Sequence, residues 1–136
     1  MVEWRNYYLV WLLMGISAVN LTAQSLSKDA PVRLLALGDS YTIGESVAEV
    51  QRWPVQLVEA LARKGYRFER PEIVAVTGWR TDDLRNALKS NPPTGTYDLV
   101  SVLIGVNNQY QGKSLSAYEN EFQELLDVAT EYAGGN

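Results

Sequence analysis

With 136 residues, 46% of them apolar and 21% charged, the chain suits one packed domain. A formal net charge of -4 with no basic run speaks against a nucleic-acid surface. There is no cysteine and no histidine, so disulfides, thiolate nucleophiles and the common zinc ligands are excluded, and neither cofactor nor metal is expected.

The first 23 residues read as an export signal. Arg5 supplies a weak positive start, Leu9 to Val19 is almost unbroken apolar sequence, and Ala23 offers a small residue at a cleavage point. This apolar run is shorter than the roughly 20 residues that span a bilayer. A cleaved signal and an uncleaved anchor are the two readings, and cleavage implies an exported, periplasmic or secreted protein with no stable membrane span. Residues 24–31 are polar and read as a linker, and one domain is expected over 32–136.

Val32 to Leu37 is nearly all apolar, as expected of a strand covered on both faces. Gly38 to Ser46 reads as a loop. Trp53-Pro54 opens a helix, since proline at the first turn gives up an N–H that has no partner there. Its buried stripe is Val55, Leu57, Val58, Leu61 and Ala62, and Gly65 stops it. Ile73 to Val76 is a second strand, ended by Thr77-Gly78. Thr81 is placed to cap a helix running to Leu88, with Asp82 and Asp83 in its first turn. Leu99 to Ile104 is a third strand. Ser116-Ala117-Tyr118-Glu119 is a capping box, and the stripe from Tyr118 to Tyr132 makes a last helix. The order β-α-β-α-β-α predicts an α/β fold, a parallel sheet with helices on both faces.

Each predicted strand ends in a small residue beside a polar group: Gly38-Asp39-Ser40, Thr77-Gly78-Trp79 and Gly105-Val106-Asn107-Asn108. In a parallel sheet these junctions share one edge, where ligands bind. Taken singly, each suits an ordinary turn. Together they bring a hydroxyl, a backbone N–H and a neutral amide donor toward one point. Acyl transfer needs that set: a nucleophile, and donors for the oxyanion that forms. Trp79 and Tyr110 follow two of the junctions and either wall a substrate pocket or cover ordinary surface.

These blocks resemble the SGNH or GDSL hydrolases, a family of esterases and lipases. The likeness runs from residue 32 to about 133. It rests on Gly38-Asp39-Ser40-Tyr41-Thr42-Ile43-Gly44-Glu45, on Gly78, and on Gly105-Val106-Asn107-Asn108, where the family usually has Gly-x-Asn-Asp. The resemblance implies the three-layer, flavodoxin-like fold of that family and an ester substrate of the small-molecule, carbohydrate or lipid kind. It also implies that Ser40 is the nucleophile and that the Ser40 N–H, Gly78 and Asn107 form the oxyanion hole. The family's Asp-x-x-His block is not found, so the resemblance implies the front portion of a longer hydrolase, about three strands of its sheet, close to inactive alone. Two other readings stand beside it: a non-catalytic ester- or glycan-binding protein that keeps the pocket, and a nucleotide-binding domain. The second lacks both a Gly-x-Gly-x-x-Gly and a P-loop lysine pattern.

Overall fold

The computed structural model describes residues 31–135. The expected export signal over 1–23 and all of the linker but Pro31 lie outside the described residues. Three strands form one parallel sheet: β1 (Leu34–Gly38), β2 (Glu72–Ala75) and β3 (Leu99–Leu103), in the order β2-β1-β3. The helices are α1 (Ser40–Ile43), α2 (Trp53–Ala62), α3 (Thr81–Ser90), α4 (Val106–Tyr110) and α5 (Leu115–Tyr132), with a 3-10 turn at Glu49–Gln51. This is the α/β architecture expected from the alternation of elements.

Central β1 is buried along its whole length, which explains its continuous apolar sequence. Leu35 and Leu37 point to one face, where they pack with Leu84 and Leu88 of α3 and Leu125 and Ala129 of α5. By the two-residue period of a strand, Leu34 and Ala36 point to the other face. They are equally buried, as are Pro54 and Val58 of α2. On β3 the same face carries Leu99 and Leu103, which stay 38% and 48% exposed.

Three local expectations need correction. The stretch after β1 is not all loop: Asp39 caps a four-residue helix at once, its Oδ1 accepting from the Tyr41 N–H at 3.0 Å. Thr81 is not the cap of α3. Arg80 holds that position without a side-chain cap bond, and Thr81 lies inside the helix with its hydroxyl turned to Glu121. The cap of the last helix lies two residues before the predicted one: Ser114 accepts from the Ala117 N–H at 3.1 Å, and the helix starts at Leu115.

The far end of the sheet is stapled by Arg33 and Tyr97. The Arg33 guanidinium lies 4.3 Å from the centre of the Tyr97 ring and donates to the carbonyls of Thr94 and Thr96. Tyr97 donates to Glu72 Oε2 at 2.6 Å. Burial first, and then this bond to a carboxylate, push the Tyr97 phenol up to about 12 from 10.0. The fold thus favours the neutral phenol. Its contribution is complete below pH 10 and is lost as pH rises through 12, a change of order 2–3 kcal/mol. Denaturation midpoints between pH 9 and 12 should fall more steeply for the native chain than for Y97F, and equal slopes would contradict this assignment.

Candidate active site

The register of the sheet places the three junctions together. Gly38 is paired with Ala75 on one side and Leu103 on the other, so β1, β2 and β3 end level. Ser40, Gly78 and Asn107 follow those residues by two, three and four positions along the chain, at the same carboxyl edge.

Ser40 is the first residue of α1 and is half-buried. The first N–H of a helix has no partner within it. Asp39, 1% exposed, fixes the turn that puts Ser40 there. Helix α1 then ends on Gly44 in the left-handed conformation, at φ 71°. Just beyond, Glu45 accepts from the Thr77 hydroxyl, which ties the exit of α1 to the exit of β2.

At Gly78 the chain turns sharply. The Trp79 N–H donates to the Val76 carbonyl at 3.2 Å and Gly78 has φ 84°, the pattern of a type II turn with glycine at its third position. Such a turn spends the N–H of its fourth residue and not that of its third. A Cβ at position 78 would meet nothing within 4 Å, so the glycine serves the backbone conformation there.

Asn107 is half-buried in α4, and its Nδ2 donates to the Trp79 carbonyl at 2.9 Å. A primary amide has two N–H groups. One bond of this kind orients the group and leaves the second for a ligand. Gly105 ahead of it stands at φ 126° with the Tyr118 ring packed close: a Cβ there would lie 2.7 Å from Cε2.

Several residues behind this edge carry long-range bonds with no local sequence signal. Asn108 is buried, accepts from the Thr81 N–H at 3.0 Å and donates to the Thr81 hydroxyl at 2.6 Å. Gln111 accepts from Arg80 Nη1 at 2.8 Å and reaches the Gly78 carbonyl at 3.5 Å. Arg80 also binds Asp82 through two nitrogens, both at 2.8 Å. That bond holds the Asp82 carboxyl below its ordinary range and raises the Arg80 guanidinium. Asp83 accepts from the Arg80 N–H at 3.0 Å. The only hint of this network in the sequence is that 108 carries Asn where Asp is usual in the resembling family.

A cavity of about 330 Å³ is lined by Asp39, Tyr41, Leu103, Ile104 and Val106; the chain neighbours of Ser40 border it, and Ser40 itself does not. A larger one, about 570 Å³, lies past Gly105 toward Lys113 and Tyr118. The two aromatic candidates line neither. Trp79 packs against the core, while Tyr110 is 90% exposed at the end of α4. Among the described residues no group of acidic side chains is placed to hold a metal, and no helix is long and apolar enough to cross a membrane.

The comparisons with known proteins agree with this fold. The esterase AlinE4, of the SGNH-hydrolase family, has the same fold, with a TM-score of 0.67 at 22% identity over 75% of this chain and 55% of its own. TesA matches at TM-score 0.57 and 20% identity, over 76% of this chain and 54% of its own. A GDSL-like lipase structure from Parabacteroides merdae matches at 0.59 and 23%, over 81% and 57%. The chain thus spans little more than half the length of these structures. No curated protein matches it. The model of the GDSL-like lipase/acylhydrolase family covers residues 36–135, from the middle of β1 to the end of α5. By that match, and by a fold that agrees with it, the chain belongs to the GDSL-like lipase/acylhydrolase family.

Proposed function

We propose that the chain carries the nucleophile and the oxyanion hole of a serine ester hydrolase. Ser40 Oγ attacks the ester carbonyl and passes its proton to a base. The carbonyl oxygen takes up the negative charge and is held by the Ser40 N–H, the Gly78 N–H and the free Asn107 amide N–H. The C–O bond to the alcohol then breaks, the base returns the proton to the leaving oxygen, and water hydrolyses the acyl-serine by the same route. The observation that supports this most is the meeting of three strand ends at one edge, with the Asn107 amide already anchored on the Trp79 carbonyl.

The base is not among the 136 residues as an imidazole. Asp82 is engaged by Arg80 and held ionised, and Lys113 lines the cavity past Gly105 and not the one bordered by Asp39 and Tyr41. We assign the base to a segment that carries Asp-x-x-His, outside this sequence, and exogenous imidazole is its simplest substitute. In imidazole, a fluorophosphonate should add to Ser40 and to no other residue, as read by mass spectrometry of the digested chain, and S40A should not react. An unmodified Ser40 overturns the reading. The missing imidazole also supports a second reading, a protein that binds esters or glycans without turnover; binding with no imidazole-dependent hydrolysis would select it. The substrate class we propose is a small ester. The apolar segment from Leu9 to Val19 supports export, which N-terminal sequencing of the expressed protein would test.

A further inference from the structure

The polar groups behind the site form a chain with a fixed direction. The Thr81 backbone N–H can only donate, and it donates to Asn108 Oδ1. The other end of that amide is therefore Nδ2, which donates to Thr81 Oγ1. The hydroxyl, used here as an acceptor, sends its own proton to Glu121 Oε2 on α5. Thr81 is fully buried and Asn108 is 4% exposed, so neither exchanges these partners for water. Helix α4 thus grips the chain ahead of and into α3 at two adjacent points. Asn107 holds residue 79, Asn108 holds residue 81, and the second grip ends on α5.

We propose that Glu121 is a positioning residue. Through Thr81 and Asn108 it sets the direction in which Asn107 presents its free N–H, and this rests on reading Asn107 as an oxyanion donor. The same polarity accounts for the amide at 108. An aspartate there would accept from both the N–H and the hydroxyl of Thr81, compete with Glu121 for one proton, and set two carboxylates against one donor. Asn108 and Glu121 are a matched pair. Glu121 also faces Arg85, at 3.8 Å through its other oxygen, so the test must separate hydrogen bond from charge.

The readout is the Asn107 side-chain amide of the full chain by NMR, where the proton bound to the Trp79 carbonyl exchanges slowly. Both E121A and T81V break the chain, and each should speed that exchange roughly tenfold, the worth of one hydrogen bond to a charged or buried partner. In E121Q the Thr81 hydroxyl keeps an oxygen to donate to while the charge facing Arg85 is gone, and the rate should not change. Exchange should be fast in N108D and slow again in N108D/E121Q, where the amide introduced on α5 donates to the Thr81 hydroxyl and the hydroxyl donates to the carboxylate introduced on α4. An unchanged rate in E121A, or a disturbance in E121Q as large as in E121A, overturns the proposal. If E121A does not fold, E121Q and the N108D/E121Q pair decide it. Ester hydrolysis that depends on both imidazole and Ser40 is measured beside it: its absence from the native chain defeats the esterase reading, while the amide signal still decides the role of Glu121.

Discussion

The 136-residue chain by itself is expected to hydrolyse a p-nitrophenyl ester roughly a million-fold more slowly than the same site furnished with an imidazole base. A serine hydroxyl is a poor nucleophile until a neighbour takes its proton, and that neighbour needs a pKa near the working pH. Asp82 fails on this count, because it is bonded to Arg80 and sits below its ordinary range. Oxyanion stabilisation and binding alone retain roughly 10³–10⁴ over water. Added imidazole should raise the rate with saturation, S40A should abolish the rise, and N107A should cut the rescued kcat by about 10²–10³ with little change in KM. An imidazole-independent rate that S40A removes, and that imidazole does not increase, would show that the chain holds its own base.

What could be read from the sequence follows from the range of the forces involved. An unbroken apolar run marked β1, because a parallel strand buried on both faces has no polar face; β3 was legible from its apolar residues on either side of Ser101, although none of it is fully buried. Pro54 marked the start of α2 and the acidic pair Asp82-Asp83 the start of α3, since both signals act within one helical turn. The capping residues were misplaced by one or two positions, because Thr81 and Ser116 carry the right side chains and only the tertiary path decides which is used. Thr81 is claimed by Asn108 and Glu121, 27 and 40 residues away, so its hydroxyl is not free to cap. Helix α1 is too short to show a period. Ser40, Gly78 and Asn107 stood out as candidates because strand-end chemistry at a sheet edge is local, whereas Trp79 and Tyr110, singled out by the same position, line neither cavity. Asn108 and Glu121 did not, because nothing near either residue in the chain announces a partner.

Gly38→Ala is expected to destabilise the fold by about 3 kcal/mol or more, at the upper end of what overpacking costs. The reason is steric, since φ at Gly38 is not positive. A Cβ there would overlap Thr42 Oγ1, and would stand 2.7 Å from Thr42 Cβ and 2.6 Å from the Leu103 carbonyl oxygen. Both neighbours are fixed. Thr42 is wholly buried in α1, and Leu103 is the residue paired with Gly38 across β1 and β3. To admit the methyl group, either α1 lifts off the end of β1 or the two strands part. The first displaces Ser40, and the second separates the strand ends that carry Ser40 and Asn107. Truncating Thr42 to alanine in the same chain should recover only part of the loss, because Cβ of residue 42 and the Leu103 carbonyl remain. Gly78→Ala is the comparison: its Cβ meets open space, so it should cost only the roughly 1–2 kcal/mol of holding a non-glycine residue at positive φ. Urea midpoints rank the three variants, and the steric account requires G38A to be the least stable. A G38A midpoint at or above that of G78A would mean that the close approach of α1 to β3 at this glycine does not constrain the site.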